Sequence, residues 1–344
     1  MIEKVFYSEN PDKDTKDRQR CLDGVSAFFE NAKKDAEKKR GEFFVPSKDE
    51  KVMSAYREKL VDMLGFPLRE KREIKSVEQV FVTRDGNVDI YRMHFNFANG
   101  LDMYGLYLKQ VEDSKNKPFV FGLHGGWGTP ELVSGIHYNS SNYNHLVRRI
   151  TERGASVFAP QLLLWNVPNY GNAYERLEID ARMRELGGSV TALEIYMMQG
   201  ALDWFVDSKE ANADKLGVAG MSYGGMYALH LAAVDTRFKA CFSCSWVCDV
   251  FEWLKIDWSY QNTQNTIAAA ETAALIAPRT LVVGMGNNDP AWKLGTVREC
   301  AKISSYFKKM DCEDKFRYIE YEGVHEVDKG DEWVDLLFRG IEVK

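Results

Sequence analysis

Residues 220–225 read Gly-Met-Ser-Tyr-Gly-Gly, between the apolar run Lys215–Ala219 and a helical pattern from Met226 to Val234. A serine on a sharp strand-to-helix turn has strained backbone angles, and its flanking positions lie too close to neighbouring chain for a Cβ. Glycines at 220 and 224 relieve that crowding. The turn lifts the Ser222 hydroxyl above a sheet at a helix N-terminus, where the macrodipole favours developing negative charge. Ser222 is therefore the expected nucleophile of an acyl transfer. Such a string also arises by chance in Gly-rich turns, but the strand before it and the helix after it argue against chance here.

Acyl transfer passes through a tetrahedral oxyanion that needs N–H donors fixed in advance. The N–H of Tyr223, next after the nucleophile, supplies one. The second is expected from His124-Gly125-Gly126-Trp127, which follows the buried run Phe119–Leu123. There Gly126 is favoured and Trp127 is next; a plain tight turn is the weaker reading.

A general base must reach the serine, and on such a turn the chain order is serine, acid, histidine. Of six histidines only His230 and His325 follow Ser222. His230 falls inside the helix after the nucleophile and cannot fold back on it. His325, in Glu322-Gly323-Val324-His325, is left as the base. The acid is expected after the strand Thr280–Gly284, at Asp289 in Gly286-Asn287-Asn288-Asp289-Pro290. It would fix the imidazole tautomer, although such residues also suit a simple turn. Asp249 is the runner-up acid.

These side chains need a scaffold, and helix and strand alternate from about residue 76. Strands are expected at 79–83, 88–96, 101–109, 119–123, 155–159, 215–219, 238–243, 280–284 and 316–321, and helices at 144–153, 190–206, 225–234, 297–309 and 332–339. The apolar runs 119–123 and 215–219 suit parallel strands buried on both faces. The fold class expected is α/β, a mostly parallel central sheet flanked by helices. Residues 1–75 read as an N-terminal helical extension packed on a catalytic domain of residues 76–344. Its first helix carries the stripe Leu22, Val25, Phe28, Phe29, Ala32 and Ala36. Its second is expected to be capped by Ser47, with Val52, Tyr56, Leu60, Met63 and Leu64 facing inward.

Two long insertions, near 161–188 and 246–278, follow strand ends on the side where open α/β sheets bind ligands, which makes them lid candidates. Trp127, Trp165, Tyr170, Trp246, Trp253, Trp258 and Tyr260 gather there, either to line a substrate pocket or to pack the lid. Trp127, Trp165 and Trp246 are the substrate-binding candidates. Arg182 and Arg184 could meet an anion but read better as a solvated helix face.

The chain has 344 residues, 45% of them hydrophobic, and a net charge of −6. That balance offers no basic footprint for nucleic acid. No run approaches a membrane span, and the first residues lack a signal-peptide pattern. With six cysteines in no disulfide framework, a cytoplasmic location is expected. Cys241, Cys244 and Cys248 lack a second Cys/His pair for zinc and read as buried thiols, so no metal or other cofactor is expected.

In this order the motifs His-Gly-Gly, Gly-Met-Ser-Tyr-Gly-Gly, Gly-Asn-Asn-Asp-Pro and Glu-Gly-Val-His resemble the α/β-hydrolase superfamily over residues 78–344. The large insertion before the nucleophile and the N-terminal helices resemble its dienelactone-hydrolase and acetyl-xylan-esterase-like branch. The resemblance implies hydrolysis of small carboxylic esters, acyl groups on sugars among them, with a small-molecule ester as substrate. The nucleophile string also resembles prolyl-oligopeptidase-like peptidases, which carry a β-propeller that the first 75 residues do not suit. A binding protein that kept the pocket and lost the chemistry is the third reading.

Overall fold

The computed structural model describes residues 7, 9–12, 14–112, 115–136, 140–164, 174–253 and 255–342. The chain divides into two compact units: Met1–Val45 with Gln264–Thr266, and Pro46–Thr263 with Ile267–Lys344. The elements, in chain order, are α1 (Thr15–Phe43), α2 (Glu50–Leu64), β1 (Ile74–Asp85), β2 (Val88–Phe97), β3 (Asp102–Gln110), β4 (Phe119–Leu123), α3 (Pro130–Val133), α4 (Leu146–Glu152) and β5 (Ser156–Pro160). There follow α5 (Arg176–Glu185), α6 (Val190–Asp207), β6 (Leu216–Met221), α7 (Tyr223–Val234), β7 (Ala240–Cys244), α8 (Ala269–Ala274), β8 (Thr280–Gly286), α9 (Thr296–Lys309), β9 (Phe316–Tyr321) and α10 (Glu332–Glu342).

One nine-stranded sheet runs β1-β2-β3-β5-β4-β6-β7-β8-β9. The pairs from β1 through β3 to β5 are antiparallel; those from β5 through β9 are parallel. Strands β4, β5, β6 and β7 are buried at every residue, because helices cover both faces. Alternation sorts their side chains. Val120, Val157, Ala219 and Phe242 join Ile150 of α4 and Trp333, Leu337 and Ile341 of α10 in one core layer. On the other face Phe119 and Phe158 pack on Phe205 of α6, with centroids 4.7 and 5.1 Å apart. The two layers hold the carboxyl ends of β4, β6, β8 and β9 in fixed register, and the candidate site residues lie in the loops beyond those ends.

Several local expectations change. Helix α2 is capped by Asp49, whose side chain accepts from the Lys51 N–H at 2.9 Å; Ser47 instead accepts from the Asp49 N–H. Its buried face is Met53, Arg57, Leu60 and Leu64, and Val52 is exposed. On α1, Ala36 is buried, and Leu22, Val25, Phe28 and Phe29 are each more than half exposed. The insertions contain helices, α5 and α8, that their patterns did not announce. No described helix is long and apolar enough to cross a membrane.

Candidate active site

Ser222 is the single residue between β6 and α7, at φ 59° and ψ −122°. A non-glycine residue at positive φ costs energy and persists only where its surroundings enforce it. Here the Ser222 N–H donates to the Cys244 carbonyl at 2.8 Å, and its carbonyl accepts the first helical bond from Met226. The crowding read from the sequence is present. A Cβ on Gly224 would lie 2.2 Å from the Leu123 carbonyl oxygen, so only glycine lets α7 start against the end of β4.

That contact also brings the loop after β4 to the serine. A Cβ on Gly125 would lie 2.9 Å from the Ser222 Cβ and 3.0 Å from the Met221 oxygen. The loop is pinned from behind. The Gly125 N–H donates to the Tyr143 hydroxyl at 2.8 Å. His124 is fully buried, with Nδ1 2.9 Å from the Gly125 carbonyl, while its Nε2 accepts from the Leu162 N–H at 2.9 Å. Those partners fix the neutral tautomer with the proton on Nδ1, and burial lowers its pKa to about 4. The Gly126 N–H has no hydrogen-bond partner among the described residues. It is thus a donor available to an oxyanion.

Asp289 and His325 meet. Nδ1 of His325 lies 2.8 Å from Oδ2 of Asp289, and Oδ1 accepts from the Ala291 N–H at 2.8 Å. Asp289 is fully buried; the imidazole is about one-third exposed. Their loops are laced together: the N–H groups of Asn287 and Asn288 donate to the carbonyls of Tyr321 and Gly323, each at 2.9 Å. The His325 carbonyl accepts from Asn142 at 2.9 Å. Asp249, the alternative acid, instead bonds Arg298 at 2.5 Å.

Ser222, Tyr223, Gly126, Trp127 and His325 line one cavity of about 580 Å³. Trp246, Trp253 and Trp258 form its aromatic wall, and Lys255 also borders it. Trp127 is exposed at the rim; Trp246 is buried, and its indole nitrogen has no hydrogen-bond partner among the described residues. Trp165 and Tyr170 lie outside the described residues. Tyr260 lines a separate, much smaller cavity with His230, which is fully buried. Arg182 and Arg184 pair with Glu178 and Asp180 along α5 and do not border the large cavity.

Sequence reading missed the group behind the wall. Arg176 is buried and bonds Glu194, Asp257, Tyr227 and the Leu163 carbonyl. Its partners are scattered along the chain from Leu163 to Asp257, so no local spacing reveals them.

A serine on a strained strand-to-helix turn, an aspartate–histidine pair beyond the next strands and a Gly-Gly loop at the carboxyl edge of a largely parallel sheet define an α/β-hydrolase. The family model of the dienelactone hydrolases matches residues 131–313, just over half the chain, and the chain belongs to the dienelactone hydrolase family. The matched span contains Ser222 and Asp289 and stops short of His325. YtaP of Bacillus subtilis (strain 168), described as a hydrolase, is 27% identical over 248 residues, covering 68% of this chain and 80% of that one.

Solved structures share the fold at low identity. A Bacteroides fragilis protein described as an acetyl xylan esterase superposes with a TM-score of 0.67 at 15% identity, covering 88% of this chain and 86% of its own. A glucuronoyl esterase from Solibacter usitatus gives 0.63 at 17%, covering 87% and 95%. Acetyl xylan esterase 1 from Thermoanaerobacterium sp. JW/SL YS485 gives 0.55 at 15%, covering 90% and 97%.

Proposed function

We propose that the protein is a serine esterase that cleaves small carboxylic esters, acetyl esters of carbohydrates among them, through an acyl-enzyme on Ser222. The observation that carries this reading is the Asp289–His325 hydrogen bond at the edge of the cavity that Ser222 lines. His325 Nε2 takes the Ser222 hydroxyl proton as the oxygen attacks the ester carbonyl. The N–H groups of Tyr223 and Gly126 hold the oxyanion, and His325 returns the proton to the departing alcohol. Water then repeats the sequence on the acyl-enzyme and releases the acid. Asp289 stabilises the imidazolium formed in each half.

The carbohydrate part rests on the aromatic wall, whose faces suit sugar rings, and on the names of the structural neighbours. Ser222→Ala should lose hydrolysis of p-nitrophenyl acetate by at least about 10³-fold; unchanged turnover would remove the reading. Acetylated sugars set against aryl esters, lactones and aminoacyl naphthylamides decide the substrate. Turnover confined to the naphthylamides would make the protein a peptidase instead.

A further inference from the structure

Arg176, at the start of α5, is 1% exposed, as are Glu194 of α6 and Asp257 of the second insertion. All three of its guanidinium nitrogens donate. Nε donates to Asp257 at 2.5 Å, Nη1 to Glu194 at 2.8 Å and to the Leu163 carbonyl at 2.9 Å, and Nη2 to the Tyr227 hydroxyl at 2.7 Å. Two carboxylates face one cation, and the excess charge is met by O–H and N–H donors. Glu194 accepts from the Tyr227 hydroxyl and from the Leu163 N–H at 2.5 Å, and Asp257 accepts from the Tyr223 hydroxyl at 3.2 Å.

Tyr223 is where this group reaches the site. The guanidinium carbon lies 5.1 Å from the centre of the Tyr223 ring, and the Trp258 indole stacks on that ring with centroids 5.0 Å apart. Trp258 follows Asp257 directly and forms cavity wall. A single buried cation therefore ties both insertions to the first residue of α7. Buried ion clusters are poor sources of stability, because an apolar core of the same shape folds as well or better. What a rigid guanidinium fork supplies is direction.

We infer that Arg176 is a positioning residue of the active site, fixing the Tyr223 main chain as oxyanion donor and Trp258 as substrate wall. The inference rests on the esterase reading above. It touches no substrate; it acts through Tyr223 and Asp257.

The test uses the full chain, with p-nitrophenyl acetate turnover, fluorophosphonate labelling of Ser222 and thermal unfolding measured together. Arg176→Ala should lower kcat and the labelling rate by about 10²-fold, the scale of a misplaced oxyanion donor. KM should move by no more than about threefold, since the small acetyl ester gains little from the wall. Millimolar guanidinium should restore at least about tenfold of the lost rate, and Arg176→Lys should not, because an ammonium cannot reproduce the fork. A folded Arg176→Ala with wild-type kcat and only a lower melting temperature overturns the inference. Should that variant not fold, Tyr223→Phe decides: it removes one hydroxyl–carboxylate bond and should cost about tenfold in kcat, and unchanged kcat overturns the inference. Loss of activity in Ser222→Ala with full activity in these variants removes Arg176 alone. Full activity in Ser222→Ala removes the esterase reading and this role together.

Discussion

Asp289 has two oxygens and two tasks: one holds the Ala291 N–H, the other meets His325. In Asp289→Asn the oxygen that remains can satisfy either the backbone or the imidazole, and the amide nitrogen presents a donor to the wrong partner. The favoured imidazole tautomer is then reversed. We predict a kcat loss of about 10³- to 10⁴-fold with little change in thermal stability, read by steady-state kinetics beside a melt. The places of Ser222, Asp289 and His325 in the fold were legible, because each lies just past a strand end, where chain order and turn composition are local signals. The partners of His124 and Arg176 were not legible. The His124 ring is fixed by Leu162, 38 residues away, and Arg176 by Asp257, 81 residues away. Arg182 and Arg184 drew notice instead because two arginines in one short stretch look purposeful; Arg182 pairs with Glu178 along α5, and Arg184 with Asp180 and with the Ile256 and Ser259 carbonyls.

At the scale of elements, the buried strands were readable as unbroken apolar runs, and their ends shift by only a few residues. The short helices were not. Helix α8 is buried at all six residues and so has no polar face to set a period. Helix α5 is so charged that its pattern looks like a loop. Helix α10 is the opposite case, with Trp333, Val334, Leu337, Phe338 and Ile341 buried in a clear stripe. Trp333 stacks on Phe242 of β7 at 4.5 Å, yet its indole nitrogen is buried without a hydrogen bond among the described residues. Trp333→Ala should therefore cost about 3–5 kcal/mol, whereas Trp333→Phe should cost much less, since the lost N–H was unsatisfied. Urea unfolding of both variants measures the contrast, and equal losses would contradict it.

For the molecule as a whole, acid should act through two buried histidines. Burial holds His124 and His230 to about 4, below the ordinary 6.5. A folded value below the unfolded one means the unfolded chain binds more protons between those limits. Stability from this source is complete above pH 6.5 and falls as the pH drops toward 4. At pH 5 each should cost about 2 kcal/mol relative to neutral pH. Urea midpoints at pH 7 and pH 5 measure the sum, and His230→Gln should remove roughly half of it; a stability independent of pH over this interval would contradict the burial. Fold class was legible at this scale from the alternation of elements alone.

The most direct measurement is the site of covalent modification. Intact-protein mass spectrometry after treatment with a fluorophosphonate should show a single adduct, mapped by peptide fragmentation to Ser222 and absent in Ser222→Ala. An adduct on any other residue, or none at all while ester hydrolysis proceeds, would contradict the account that places the chemistry at the turn between β6 and α7.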